Sequence, residues 1–135
     1  MSLILRWSLA VGLVIVLVDA AAGELARSIS DEDLAAAIVL VDNLVTLALA
    51  GWAGFRVAGA LGELRCGLEA AVLAGLIAGL GGVAYHLLRD VEPTTPTDAV
   101  ALVALNIVLA AAAGALGAWT GSTARRDRPP GRGSS

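Results

Sequence analysis

The chain of 135 residues contains no lysine, no glutamine and a single cysteine, Cys66. One cysteine excludes an internal disulfide and a cysteine-based metal cluster. The short motifs of common enzymes are missing as well: no glycine loop precedes Lys-Ser or Lys-Thr, and HExxH, CxxC and the serine-nucleophile elbow do not occur. We therefore expect no enzymatic activity, no bound metal and no cofactor.

Charge is also scarce, at 16% of the residues, whereas hydrophobic residues make up 58%. A soluble domain has about a quarter charged residues. The apolar excess forms four runs of about 20 residues, each long enough to cross a hydrocarbon core of about 30 Å. We predict an all-α polytopic membrane protein, with a four-helix transmembrane domain over residues 1–121 and a disordered Arg/Pro/Gly tail over 122–135. The predicted spans are about 7–26, 34–55, 66–88 and 98–120.

The arginines predict the orientation, because cytoplasmic loops carry an excess of positive charge. Only Arg27 and Arg89 fall on the side away from the chain termini. We therefore expect a bacterial or archaeal cytoplasmic (inner) membrane, with both termini in the cytoplasm. Residues 1–22 also have the features of a cleavable signal peptide, whose removal would leave three spans in the same orientation. The side that holds the chain termini carries Arg6, Arg56, Arg65, Arg125, Arg126, Arg128 and Arg132.

An internal repeat becomes visible when the chain is shifted by 63 residues. Asn43 then aligns with Asn106, and these are the only two asparagines in the protein. Each is followed by a glycine pair at the same offsets. The repeat predicts two similar helical hairpins, related by an axis along the membrane normal. The alternative explanation is the alanine-rich composition alone.

Glycines recur at steps of three or four residues, which places them on one face of a helix. Because lipid provides little hydrophobic drive for helix association, close contact at such faces must hold a bundle together. The glycine supply slightly exceeds the need of one bundle, which is consistent with a homo-oligomer or a membrane-protein partner. Apart from these and the lipid bilayer, no partner is expected, and no nucleic acid. The predicted helix-packing glycines are Gly51, Gly54, Gly75, Gly79, Gly82, Gly114 and Gly117.

Polar side chains lie at one depth inside the apolar runs. An aspartate at mid-membrane costs about 2.5 to 3.5 kcal/mol. We expect at least one of the two carboxyls there to be protonated and hydrogen-bonded to an asparagine amide or to the other carboxyl. Such a layer serves either as structural hydrogen bonding between helices or as a path for protons or cations. The predicted layer comprises Asp19, Asp42, Asn43 and Asn106, with Thr46 one turn deeper and His86 one turn above.

The Gly51-x-x-Gly54 ending of the second span and its repeat at Gly114-x-x-Gly117 resemble small prokaryotic four-helix membrane proteins of unknown function. That resemblance implies four helices and no assigned activity. The chain is also similar to the small multidrug transporters in having four short helices and a first-span carboxyl, Asp19, where they have a glutamate. It lacks their aromatic-rich third and fourth spans.

Two functions are consistent with these features. The favoured one is a structural or interaction protein, because no recognisable site accompanies the glycine faces. The alternative is a small proton- or cation-linked transporter or channel that uses the polar layer in the outer half of the membrane.

Overall fold

The computed structural model describes residues 2–89 and 95–126, in which four helices and no strands are found. All four helices are long and apolar enough to cross a membrane. The prediction of an all-α membrane protein with four transmembrane helices is thus confirmed. Each helix contains its predicted span and extends beyond it at both ends. The helices are α1 (Leu3–Ser28), α2 (Glu32–Leu61), α3 (Leu64–Arg89) and α4 (Pro96–Arg126).

The end of α4 corrects the predicted boundary of the tail. Because the helix continues to Arg126, residues 122–126 are helical and do not belong to a disordered segment. The rest of the predicted tail, residues 127–135, lies outside the described residues.

Side-chain and glycine caps define the helix ends. The carboxylate of Asp31 accepts hydrogen bonds from the backbone N–H groups of Asp33 and Leu34, at 3.0 and 3.1 Å, and so caps α2. Thr95 and Asp98 form a reciprocal capping box at the start of α4. Gly62 ends α2 with a φ of 80°, a conformation that favours glycine. The connection between α2 and α3 is therefore only two residues long.

The helices form an up-and-down bundle in which α2 and α3 each contact all three other helices, whereas α1 and α4 do not meet within the described residues. We call the end at which α1 begins and α4 ends the termini end, and the opposite end the two-loop end. At the termini end, Trp7 packs edge-on against Trp52, with ring centroids 4.8 Å apart. Arg56 lies over the Trp7 ring at 5.5 Å.

Tight packing is confined to the termini half of the bundle and its middle. Among the described residues, none that lies nearer the two-loop end than Ile15, Ala50, Gly79 and Ala110 is buried. The buried side chains are mostly alanine, and glycine backbone fills the space between them. The helices therefore approach closely on one side of the membrane midplane and leave space between them on the other.

The contact between α2 and α4 follows the sequence repeat. A methyl group on Gly54 would lie 2.5 Å from the carbonyl oxygen of Gly114, and one on Gly117 would overlap the carbonyl of Gly51. A shift of 63 residues converts the first of these pairs into the second. A methyl on Gly51 would lie 3.3 Å from the Ala113 carbonyl oxygen. The repeated glycines thus pack against each other across a local two-fold axis.

The first helix of each hairpin packs differently. Gly12 of α1 lies against Ala74 and Ile77 of α3, whereas its repeat partner, Gly75, lies against α4 at Asn106 and Ala110. The two hairpins are therefore similar in sequence and in their α2–α4 contact, but α1 and α3 occupy different positions in the bundle.

The remaining predicted packing glycines lie on α3 and differ in their surroundings. A methyl on Gly79 would lie 2.9 Å from the Cα of Val103, so this glycine permits close approach to α4. A methyl on Gly82 would meet only the Leu102 side chain, at 3.7 Å. Gly82 therefore lies beside open space and does not hold helices in tight contact.

Candidate functional site

A cavity of about 410 Å³ lies between the four helices in the two-loop half of the bundle. The polar layer predicted from the sequence lines this cavity in full, and every helix contributes to its wall. Apolar side chains, including Val16, Val39, Leu102 and Leu105, form much of the remaining surface. The predicted polar residues that line it are Asp19, Asp42, Asn43, Asn106, Thr46 and His86.

A carboxyl pair occupies one side of the cavity. Asp19 of α1 and Asp42 of α2 lie within interaction distance of each other. The Thr46 hydroxyl donates a hydrogen bond to Asp19 at 3.1 Å. The Oδ1 atom of Asp42 is buried, and no hydrogen-bond partner for it is found among the described residues. A single proton held between the two carboxyls would give this oxygen a partner and would remove one of two adjacent negative charges.

The two asparagines make the same hydrogen bond within their own helices. The Nδ2 atom of Asn43 donates to the carbonyl oxygen of Val39 at 2.8 Å, and that of Asn106 donates to the carbonyl of Leu102 at 3.1 Å. Of the two partners expected for the carboxyls, the structure therefore supports the other carboxyl, with Thr46 in addition. The expected bond to an asparagine amide is not made.

A cluster of charged and aromatic groups lies above the carboxyl pair, toward the two-loop end. Glu24 of α1 accepts hydrogen bonds from Arg27, at 3.0 Å, from the Nε of Arg89, at 2.8 Å, and from the Tyr85 hydroxyl. Arg27 also donates to the Tyr85 oxygen and lies over its ring. His86 packs edge-on against Tyr85, with centroids 5.9 Å apart. The cluster joins α1 to α3, and Arg27 and Tyr85 line the cavity.

This cluster was not anticipated from the sequence, although two signals point to it. Glu24 and Arg27 are spaced to meet on one helix face. The repeat makes α1 and α3 parallel, so the residues near the ends of both helices, including Tyr85 and Arg89, reach the same level.

Small residues close the bundle on the termini side of the cavity. A methyl group on Gly67 of α3 would lie 2.5 Å from the Gly54 carbonyl oxygen and within 3 Å of the side chains of Ala58 and Ala118. Ser8 is the one buried polar side chain in the described part of the chain. Its hydroxyl donates to the Ile4 carbonyl at 2.8 Å and lies 3.1 Å from that of Ala70. The described residues thus provide no continuous polar path through this half.

A second void of about 510 Å³ lies between α1 and α2. Apolar side chains line it, and Asp42 is the only charged residue among the described residues on its wall. Asp42 therefore borders both voids. No group of three or more His, Cys, Asp or Glu residues that could hold a metal ion occurs in the described part of the chain.

Comparisons of the chain with protein-family models, with curated proteins and with solved structures found no match.

Proposed function

We propose that this membrane protein is a small proton- or cation-linked carrier, whose binding site is the cavity in the two-loop half. The supporting observation is that six polar side chains from four helices converge on one cavity, and that two of the six form an adjacent carboxyl pair. Ionisable residues inside a membrane are costly and mark ion or substrate pathways by default. The proposal assigns no covalent chemistry to the protein.

A carrier fits the packing better than an open channel does. The termini half is filled by alanine side chains and glycine backbone, so a solute in the cavity meets a closed floor. Passage would require the glycine contact between α2 and α4 to rearrange. The carboxyl pair supplies the exchanging charge, because it can release its proton when a cation takes its place.

The arginine distribution gives this carrier its direction. With both termini in the cytoplasm of a bacterial or archaeal cell, the cavity faces the outer side of the cytoplasmic membrane. A ligand would then enter from outside and meet Asp19 and Asp42 beneath the Glu24 cluster.

The test is flux through purified protein in liposomes. A pH-sensitive dye inside the vesicles would report proton movement driven by an imposed gradient of protons or cations. We expect flux with the unaltered protein and a strong loss in Asp19→Asn and Asp42→Asn. Glu69→Gln is the matched control, because this carboxyl pairs with Arg65 at 2.8 Å near the termini end. Absence of flux from the unaltered protein would contradict the proposal.

A structural or interaction role is the second candidate, and one observation favours it. The apolar stretch of α2 is the least buried of the four, and Leu40 and Leu44 are exposed on it. A helix face that one bundle leaves uncovered is available for packing against another membrane helix. In this role a second copy or another membrane protein would pack on α2.

Two measurements separate the second role from the first. A chain with Cys66→Ala and Leu44→Cys would form a cross-link across a symmetric α2 interface in membranes, because Leu44 is exposed and lines neither void. Ala10→Cys, an exposed position on α1, would not. The combined Asp19→Asn and Asp42→Asn change would leave both folding and the cellular role intact if the layer is only structural, whereas a carrier would fold and lose its role.

A further inference from the structure

We infer that the cavity binds the primary ammonium group of a small organic amine, an inference that rests on the proposed cation-binding function. It follows from the balance of hydrogen-bond donors and acceptors at the carboxyl pair, from the cavity walls and from the cavity volume.

Acceptors outnumber free donors around the carboxyl pair. The Thr46 hydroxyl hydrogen is used by Asp19, and each asparagine uses one amide hydrogen within its own helix. The other carboxylate oxygens, which include the buried Oδ1 of Asp42, and the two amide oxygens remain as acceptors, against one further amide hydrogen on each asparagine. An ammonium group brings three N–H donors and a positive charge, which is the complement of this surface.

The remaining charged groups on the wall do not neutralise the carboxyl pair. Arg27 is the only arginine among the described residues that line the cavity, and its guanidinium is bonded to Glu24 and Tyr85. His86 packs on the Tyr85 ring. It lies about one helix turn nearer the two-loop end than the carboxyl pair does. The carboxyl pair therefore keeps a negative charge that none of the described arginines on the cavity wall offsets.

The walls and the volume favour an organic cation over a bare metal ion. A space of about 410 Å³ is in the range of cavities that hold small organic ligands, and a single ion would leave most of it to water. The leucines of α4, Leu102, Leu105 and Leu109, offer an apolar surface to a short carbon chain.

Binding also explains coupling to protons. With one proton shared by Asp19 and Asp42, the pair carries a single negative charge. The arriving ammonium supplies N–H donors to both carboxylates, so the shared proton leaves to water and both oxygens keep a partner. No bond to carbon forms or breaks, and one positive charge enters as another leaves.

The experiment is isothermal titration calorimetry of the full chain in nanodiscs of zwitterionic lipid, with n-butylammonium as the probe. Titrations in two buffers of different ionisation enthalpy report the proton that is released. We expect saturable binding with proton release. Butyltrimethylammonium should bind at least about tenfold more weakly, because it has the charge but no N–H donor. The neutral n-butanol and sodium chloride should give no saturable signal.

Variants test the location of the site. Asp42→Asn should abolish binding and Asn106→Leu should weaken it, whereas Glu69→Gln should leave it unchanged. Circular dichroism and gel filtration check that each variant is folded, and the ligand series on the unaltered protein decides the matter if one is not. Equal binding of the primary and quaternary ammonium, or equal binding by all variants, would overturn the inference.

The outcome is separable from that of the proposed function. Proton flux in liposomes without butylammonium binding would overturn the amine assignment and leave the carrier proposal standing. Absence of both flux and binding would overturn the carrier proposal and the amine assignment. Binding without flux would support the amine site and overturn the carrier proposal.

Discussion

Asp42 is the residue at which the fold and the proposed chemistry meet. It lies beside Asp19, borders two voids and has a buried oxygen for which no partner is found in the described part of the chain. Two adjacent carboxylates without a bonded cation repel each other, so a proton held between them lowers the energy of the pair. We predict that the infrared band of a protonated carboxyl persists in the unaltered protein at neutral pH.

The matching variant identifies the source of that band. It should disappear when Asp19→Asn and Asp42→Asn are combined and remain in Glu69→Gln, whose carboxylate is paired with Arg65. A spectrum of the unaltered protein without the band would show that both carboxyls are ionised and would remove the shared proton from the argument.

Ser8 provides a second prediction at this scale. Its buried hydroxyl lies within hydrogen-bond distance of carbonyls on α1 and α3. Hydrogen bonds between membrane helices contribute about 0.6 kcal/mol on average, so Ser8→Ala should lower the free energy of unfolding by about that amount. Thermal unfolding in detergent measures it. Ser28→Ala is the control, because that exposed hydroxyl bonds only to the Leu25 carbonyl of its own helix. An equal effect of both changes would contradict the prediction.

The shared level of the polar residues along the bundle was predictable from the sequence, but their side-chain partners were not. Counting along the apolar runs was enough to expect Asp19, Asp42 and both asparagines at one level, and they line one cavity. The count does not include rotation about the helix axis, and rotation decides which neighbour a side chain reaches. For that reason the bonds of Asn43 and Asn106 to their own helices differ from those expected.

At the scale of elements, the glycines of the repeat bring α2 and α4 into close backbone contact. Gly54→Ala would place a methyl group 2.5 Å from the Gly114 carbonyl oxygen, which is backbone and does not move aside as a side chain would. Overpacking of this kind costs about 1–3 kcal/mol, so we expect a matching loss of stability in thermal unfolding. Gly23→Ala is the control, because its nearest neighbour is the end of the Arg27 side chain at 3.8 Å.

The control variant is expected to change stability in the opposite direction. In an open helical position, replacing glycine by alanine stabilises a helix by roughly 0.5–1 kcal/mol. Gly23→Ala should therefore be neutral or stabilising. If Gly54→Ala behaves in the same way, α2 and α4 are further apart than described here.

The local two-fold axis allows a further prediction about the same pair of helices. Gly117→Ala should destabilise the protein as Gly54→Ala does, because the two positions exchange under the repeat. Once one substitution has separated the helices, the second meets less resistance, so the double variant should lose less stability than the sum of the single losses. A double-mutant cycle by thermal unfolding measures this coupling. Strictly additive losses would mean that the two contacts are independent.

The repeat identified matching small faces on α2 and α4, but it predicted neither their contact with each other nor the positions of α1 and α3. Alignment of Gly51 with Gly114 shows only that two segments have the same small face. Gly12 and Gly75 are related by the same shift of 63 residues, yet these two glycines contact different helices. When the two helices of each hairpin are neighbours, either α3 or α4 can lie diagonally opposite α1. The choice depends on side-chain volume, which glycine patterns do not report.

At the scale of the whole molecule, the bundle is closed on one side of the membrane midplane and open on the other. The sequence contains a signal for this asymmetry that the analysis of the repeat did not use, because every glycine of α2 and of α4 lies in the termini half of its helix. The asymmetry arises where bulky residues such as Leu102 and Leu105 take the places that glycine and alanine hold in the termini half.

Thiol accessibility tests this asymmetry directly. In a chain with Cys66→Ala, we expect Ala20→Cys, on the cavity wall, to react rapidly with a water-soluble thiol reagent that does not cross membranes. Ala53→Cys, which replaces a fully buried alanine of the termini half, should react slowly in folded protein and rapidly after denaturation. Equal rates at the two positions in folded protein would mean that the cavity is not open to water.

The side from which Ala20→Cys is labelled fixes the orientation at the same time. In intact cells, labelling from outside requires the two-loop end to face outward, as the arginine distribution predicts. Labelling only in inverted vesicles would reverse the orientation, and the cavity would then take its ligand from the cytoplasm. The packing argument survives that reversal, because it depends only on which half of the bundle the small residues fill. The direction of the proposed transport does not survive it, so this measurement separates the architecture of the protein from the direction of the proposed transport.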